Sequence, residues 1–138
     1  MREILFRGKT KQGEWVYGNY CGAEYLEGDG IEHLIIEIPR NGCSVHIIPS
    51  TIGQYTGLAD KNGKKIFEGD IVICSQEING NFIDTHIEKG YVEIKHGAFG
   101  LHRKQGYYRP FKDWLEDYEY EVIGNIHDNP DMLKEGAE

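Results

Sequence analysis

The chain has 138 residues, a formal net charge of -8 and 39% hydrophobic residues, which suits one domain or two small modules that share a core. An aromatic content of 12% argues against disorder. With 15 basic and 23 acidic residues, the chain lacks the surplus of positive charge that non-specific binding to DNA requires.

The acidity is concentrated near the C-terminus. Residues 112–138 contain nine acidic and two basic residues, for a net charge of -7, whereas residues 1–111 contain fourteen and thirteen, for a net charge of -1. The segment is interpreted either as a solvated edge and tail that keep the protein soluble or as a surface for a basic partner.

Three scattered cysteines, Cys21, Cys43 and Cys74, form no C-x-x-C pair. The pattern predicts reduced thiols in a cytoplasm rather than a secreted disulfide scaffold. Because the first residues contain no apolar signal core and no stretch approaches the length of a membrane span, we expect a soluble intracellular protein.

The N-terminal part predicts two β-hairpins. Apolar residues 4–6 and 15–17 flank a loop rich in Gly and Lys, with Trp15 and Tyr17 expected on one face and Val16 on the other. Residues 20–30 are predicted as a loop or a short strand. The second hairpin pairs residues 33–38 with residues 45–48 around Asn41-Gly42, and residues 49–51 are predicted as a connection.

Two turns dominate the central segment. Asp60-Lys61-Asn62-Gly63 separates the apolar residues Leu58 and Ile66, and its Asp and Gly favour a tight turn. Glu68-Gly69-Asp70 predicts a second turn that leads into the buried strand 71–73, with Asp70 binding backbone amides and Glu68 facing water. This order is typical of the start of a small SH3-like barrel.

The remaining pattern predicts short elements. Residues 75–84 are predicted as a loop, 90–95 as a half-buried strand, 96–98 as a turn and 99–101 as a strand. Further along, residues 112–117 are predicted as a helical turn, 120–126 as a strand and 131–134 as a short helix or frayed tail. In strand 90–95, Val92 and Ile94 are expected inside, and Tyr91 and Glu93 outside. No segment has a long helical period, so the fold class predicted is mainly β with a few short helical turns. We expect an N-terminal β-hairpin module at 1–58 packed with an SH3-like barrel at 59–138 that ends in an acidic tail, as two domains or one integrated domain.

The sequence contains no motif for metal, phosphate or dinucleotide binding. Six histidines are present, and His33 and His46, at strand ends of one predicted hairpin, could meet, although satisfied or exposed histidines are the simpler interpretation. The Asp60 turn lacks the glycine and glutamate positions of a calcium loop. Cys74 ends a buried run and is interpreted as a small hydrophobe. We therefore predict no catalytic residue, no metal and no cofactor.

One constellation combines cations with aromatic rings. It comprises Arg103, Lys104, Tyr107, Tyr108 and Arg109, within the predicted loop 102–109. Such groups bind single-stranded nucleic acid or form hot spots for protein partners. The alternative is a hairpin loop with one tyrosine in the core. We take these five residues as the candidate interaction surface.

Three blocks of sequence carry a resemblance to a known family. They are R-E-I-L-F-R-G-K at 2–9, I-G-Q-Y-T-G-L-A-D-K-N-G-K-K-I-F-E-G-D-I-V at 52–72 and Y-E-V-I-G-N-I-H-D-N-P-D-M-L at 120–133. Together they resemble the YopX family of phage and prophage proteins. The resemblance implies a small, mainly β protein acting inside a bacterium, and it implies no established activity, site residue or cofactor.

The predicted function is that of a non-enzymatic phage accessory protein that binds a host or phage macromolecule in the bacterial cytoplasm. One alternative is a nucleic-acid binder that uses loop 102–109, and another is an enzyme acting on a small molecule or nucleotide. Because short β proteins leave strand edges unpaired, we also predict a homo-oligomer in which the N-terminal module supplies much of the contact and the acidic tail lies outside.

Overall fold

The computed structural model describes residues 3–24, 31–37, 44–78, 81–95, 97–103, 108–110 and 118–133. Within these ranges, eleven β-strands and one short 3-10 helix form the structure, arranged as two antiparallel sheets. The prediction of a mainly β fold is therefore confirmed. The chain divides into two compact units, Met1–Gly57 and Leu58–Glu138. The assignment of separate domains at 1–58 and 59–138 stays a prediction.

The first unit is built on the two predicted hairpins. Its strands are β1 (Phe6–Lys9), β2 (Trp15–Glu24), β3 (Ile31–Glu37), β4 (Ser44–His46) and β5 (Ile48–Ala59), and β5 continues into the second unit beside β6 (Lys65–Phe67). The order across this sheet is β4-β3-β2-β1-β5-β6. β1 pairs with β2, and β3 pairs with β4, as the sequence pattern predicted.

Alternation along β2 places the small core of this unit on one face. Val16 is 8% exposed, whereas Tyr17, on the opposite face, is 43% exposed. The core contains Val16, Ile35 and Ile47, with Phe6, Val45 and Ile52 packed against it. At the rim of the unit, the Tyr20 hydroxyl hydrogen-bonds to Nδ1 of His33 at 2.6 Å, and the two rings stack.

One sequence-based expectation for this unit is wrong, and two alternatives left open by the sequence are decided by the structure. Of the loop or short strand predicted at 20–30, the strand is present as far as Glu24, because the last residues of β2 pair with β3 down to Ile31. Residues 49–51 belong to β5 and are not a connection. There the register with β1 is irregular, and the Thr51 hydroxyl accepts from the Lys9 amide at 2.8 Å, which bridges the irregularity.

His33 and His46 are the second open alternative. His46 pairs with Leu34, the neighbour of His33 in sequence. Because cross-strand partners share a face and consecutive residues alternate, the two histidines lie on opposite faces of the sheet. They therefore form no common site.

The second unit contains a five-stranded sheet. Its strands are β7 (Asp70–Ile78), β8 (Asn81–Lys95), β9 (Ala98–Arg103), β10 (Tyr108–Pro110) and β11 (Tyr118–Asn125), in the order β10-β9-β8-β7-β11. The predicted loop at 75–84 is wrong, since β7 and β8 pair up to Ile78 and Asn81, with a register shift between Ser75 and Gln76. Of the short helix or frayed tail predicted at 131–134, the structure has a short 3-10 helix at Pro130–Leu133. The SH3-like barrel stays a prediction, and the helical turn expected at 112–117 lies outside the described residues.

The core of this unit contains Ile66, Val72, Cys74, Val92, Leu101 and Tyr120. Cys74 is fully buried among apolar side chains, as its place in the sequence predicted. Ile94, expected inside with Val92, is instead 44% exposed. It lies next to the end of β8, where few neighbours remain to cover it.

Both predicted turns are present. Gly69 has a φ of 93°, its amide donates to the Val92 carbonyl, and its carbonyl accepts from the Ile126 amide, both at 2.9 Å. Asp70 is 2% exposed, and its Oδ2 accepts from the Phe67 amide at 2.7 Å. Asp70 therefore binds the backbone as predicted, while Glu68 is half-buried rather than fully solvated.

The Asp60 turn is anchored to β11. Oδ1 of Asp60 accepts from the amides of Asn62 and Lys64, each at 2.9 Å, and Oδ2 accepts from the Val122 amide at 3.0 Å. The Lys61 amide donates to the Tyr120 carbonyl at 2.9 Å. This turn therefore connects two segments that are 62 residues apart in sequence.

Candidate interaction surface

The predicted surface residues map to the adjoining ends of β9 and β10. Arg103 is the last residue of β9 and pairs with Gly90, whereas Tyr108 and Arg109 begin β10 and pair with His102 and Leu101. Lys104 and Tyr107 lie outside the described residues. The backbone thus brings three of the five residues to one end of the sheet, with the Tyr108 position on one face and the Arg103 and Arg109 positions on the other. Their use as an interaction surface stays a prediction.

At this end of the sheet, the His102 side chain makes a ring stack and a hydrogen bond. The His102 ring stacks on the ring of Tyr91, its cross-strand partner in β8. The ring centroids are 4.8 Å apart, and the interplanar angle is 17°. Nδ1 of His102 donates to Oε1 of Glu93 at 3.0 Å. In register, Tyr91, His102 and Tyr108 therefore form one row across three strands.

Close approach of β8 and β9 makes this stacking possible. A Cβ atom on Gly90 would lie 2.4 Å from the His102 carbonyl oxygen and 2.9 Å from Cγ of Leu101. Only glycine fits between the two strands at that position. Its small size lets the strands hold the Tyr91 and His102 rings in contact.

The electrostatics favour stacking and hydrogen bonding at this site. Burial raises the pKa of Tyr91, and the neighbouring Glu93 carboxylate raises it further, so the phenol stays neutral and keeps its proton as a donor. The side chains of His102 and Glu93 are 33% and 24% exposed, so a partner can reach them. The site therefore offers one aromatic platform, one imidazole and one carboxylate.

Sequence reasoning identified one part of this site and missed another. It singled out the basic loop, and it placed Tyr91 and Glu93 on the outer face of a strand, but it did not connect them with His102. Alternation along the strand was the available signal for Tyr91 and Glu93. The sequence does not reveal the register of β8 against β9, which places His102 opposite Tyr91.

Two further properties concern the described residues as a whole. Within those ranges, no group of three or more His, Cys, Asp or Glu side chains could hold a metal ion. No helix in the part of the chain that the structure describes has the length and apolar character required to cross a membrane.

Comparison with solved structures shows a shared fold. The chain is similar to the crystal structure of protein EF1440 from Enterococcus faecalis, with 25% identity, a TM-score of 0.55, and coverage of 97% of this chain and 100% of that one. It is also similar to the crystal structure of protein yopX from Bacillus subtilis, with 14% identity, a TM-score of 0.57, and coverage of 97% and 98%. A comparison with curated proteins gives no match.

The family comparison covers the three sequence blocks named above, apart from the first residues of the first block. A family model described as YopX protein matches residues 5–134, nearly the whole chain. The second and third blocks meet in the structure, where the Asp60 turn binds β11 and Gly69 binds Ile126. The resemblance noted from the sequence is confirmed, and the chain belongs to the YopX protein family.

Proposed function

We propose that this chain is a non-enzymatic interaction protein of phage or prophage origin that acts in the bacterial cytoplasm. Its partner is a host or phage protein, and the contact surface is the end of the sheet formed by β8, β9 and β10. The stacking of His102 on Tyr91, in register with Tyr108 on the same face, is the observation that carries this proposal. Arg103 and Arg109 occupy strand positions at the same end of the sheet, on its other face.

This surface has the composition of a protein hot spot. Tyrosine and arginine are enriched among the residues that contribute most to protein binding, because they combine a large contact area with hydrogen-bond donors. Tyr91 and His102 already hold each other in place, so little side-chain entropy is lost when a partner binds. A rigid aromatic platform suits a folded protein surface.

A protein partner fits the charges better than a nucleic acid does. Glu93 places a carboxylate next to His102, and the whole chain has a net charge of -8. A phosphate backbone would approach against both charges. A nucleic acid is therefore the competing outcome of the test.

Affinity capture from host lysate tests this proposal. We expect a stoichiometric partner with the wild-type protein, and its loss with Arg103→Ala/Arg109→Ala and with Tyr91→Ala/His102→Ala. The matched control, Lys11→Ala/Lys95→Ala, removes two charges at exposed positions elsewhere and should keep the partner.

Two results would contradict the proposal. The first is the absence of a partner in lysates from several growth conditions and from phage development. The second is a mobility shift with single-stranded nucleic acid that the Arg103→Ala/Arg109→Ala variant abolishes, which would assign the surface to nucleic acid.

Self-association is a separate part of the proposed function. The first unit exposes large apolar side chains, with Ile4 at 65% and Tyr17 at 43%, which favours contact between copies through this unit. The acidic C-terminal tail lies outside that contact, since like charges repel across a symmetry axis. Sedimentation equilibrium at micromolar concentrations should give a multiple of 15.8 kDa, and a constant monomer mass would refute this part.

A further inference from the structure

The outer edge of β11 is an unusual strand edge because main-chain groups of a turn and one carboxylate occupy it. The inner edge of β11 pairs with β7, through pairs such as Tyr120 with Cys74 and Val122 with Val72. Residues two apart in a strand present their main-chain groups to the same side. The Tyr120 carbonyl and the Val122 amide that bind the turn thus point away from β7, on the side where another strand would pair.

Each of these two groups has a partner in the Asp60 turn. The Tyr120 carbonyl accepts from the Lys61 amide at 2.9 Å, and the Val122 amide donates to Oδ2 of Asp60 at 3.0 Å. The turn thus supplies one donor and one acceptor to positions two residues apart, as a neighbouring strand would. An open edge at these positions would be a template for pairing with another chain.

The Asp60 carboxylate is fixed in this role. Its other oxygen accepts from the amides of Asn62 and Lys64, each at 2.9 Å, and the residue is only 8% exposed. Nζ of Lys61 lies 3.7 Å from Oε2 of Glu121, on the adjacent face of β11. Moving the turn away from β11 would break one charge-assisted hydrogen bond, from the Val122 amide, and one backbone hydrogen bond, from the Lys61 amide.

We infer that the Asp60 turn closes the edge of β11 against a second copy of this chain. When the carboxylate is removed, two copies pair through their β11 edges in antiparallel fashion about a twofold axis, because the free donors and acceptors of one edge complement those of the other. Glu121 of one copy then lies near Glu121 of the other, so the pairing strengthens when salt screens their repulsion. The inference does not depend on the proposed binding surface.

The test uses Asp60→Ala, which removes both acceptor oxygens, and Asp60→Asn, which keeps one. The matched control is Asp128→Ala, which removes an exposed carboxylate that accepts from Nδ2 of Asn125 at 3.1 Å and lies off the β11 edge. Two quantities are measured, namely hydrogen exchange of the Val122 amide and the mass by sedimentation velocity, each over a range of protein concentrations and salt.

For Asp60→Ala at low concentration, we expect exchange of the Val122 amide to be about tenfold faster than in the wild type, as expected when one charge-assisted hydrogen bond is lost. At high concentration, protection should return as a species of twice the wild-type mass appears, and more of it should form at high salt. The control should behave as the wild type does.

Unchanged exchange at Val122 would overturn the inference, and so would fast exchange without a species of doubled mass. If Asp60→Ala fails to fold, then Asp60→Asn decides the question, with a smaller acceleration and the same dependence on concentration.

Discussion

The two units of this protein stabilise β-structure by different means. Among the described residues, one cluster of six buried side chains forms in the second unit, including Ile66, Val72 and Leu101, and the buried carboxylates of Asp60 and Asp70 bind the backbone of its turns. In the described part of the first unit, the cluster has three buried side chains, and the buried polar residues include Thr10, Thr51 and Thr56.

This difference is consistent with the self-association proposed above for the first unit. A larger core and turns bound by buried carboxylates suit a unit in which the outer edge of β11 is covered by the Asp60 turn. A small core with tyrosines at its rim leaves apolar surface that a second copy can cover. Four predictions can break or sharpen this comparison.

Truncation of a core side chain in each unit should give the largest effect. Leu101 and Ile35 are both 0% exposed. We expect Leu101→Ala to lower the free energy of unfolding by about 4 kcal/mol and Ile35→Ala by about 2 kcal/mol, because a small core collapses more readily around a cavity. Urea unfolding followed by fluorescence measures both. Ile94→Ala, at an exposed position, is the control, and a larger loss for Ile35→Ala than for Leu101→Ala would reverse the comparison.

Addition of one methyl group at a glycine should have the next largest effect. A Cβ on Gly18 would lie 1.9 Å from the Ile36 carbonyl oxygen, so Gly18→Ala should force β2 and β3 apart and cost about 2–3 kcal/mol. Gly63 has a φ of 82° with open space around it, so Gly63→Ala should cost only about 1 kcal/mol of backbone strain. Thermal unfolding compares the two variants. Equal losses would show that strand spacing in the first unit adapts easily.

The carboxylate of the Asp60 turn should make stability depend on pH. Burial raises the pKa of Asp60, but the amides of Val122, Lys64 and Asn62 and the charge of Lys64 outweigh it, so the folded pKa lies below the ordinary 3.8. The stabilisation is therefore complete above about pH 4 and is lost as the pH falls through the lowered folded value.

We expect Asp60→Asn to cost about 2 kcal/mol at pH 7, with the difference from the wild type shrinking in acid. Urea unfolding between pH 2 and pH 7 measures it, with the exposed Asp131→Asn as a control of equal charge. A penalty that does not change with pH would show that the charge of Asp60 is unimportant for the turn.

The smallest effect is expected at the candidate surface. Because burial and Glu93 both raise the pKa of Tyr91, Glu93→Gln should lower that pKa partway, while burial keeps it above the ordinary value of 10.0. Stability linked to this raised pKa is present below pH 10 and is lost as the pH rises through the folded value. Absorbance titration at alkaline pH, with Tyr91→Phe to identify the signal, measures the shift. An unchanged titration would show that the Glu93 charge does not contribute to the raised pKa of Tyr91.

Local chemistry explains which parts of the fold could be predicted. Asp60 with Gly63, and Gly69 with Asp70, determine their turns through side-chain acceptors and positive φ, and both are visible in a few residues of sequence. Strand alternation placed Val16 and Tyr17 correctly for the same reason. These features depend on neighbours in sequence alone.

The errors and the alternatives left open arose where distant residues decide the outcome. β2 extends to Glu24 only because β3 pairs with it, and residues 49–51 are in a strand because β1 lies beside them. The candidate site followed the same rule. Alternation put Tyr91 and Glu93 on one face, but the stacking on His102 depends on a register that no local pattern encodes.

The pairing of β7 with β11 has a consequence for synthesis of the chain. β7 ends at Ile78, and β11 begins only at Tyr118, about 40 residues later, which is a delay of about 2–8 s at usual ribosomal rates. During that time, one edge of β7 lacks its partner, and the Asp60 turn lacks the strand that it binds. The nascent chain is therefore most prone to mispairing in this interval, and a ribosome stalled between these strands would display an aggregation-prone intermediate.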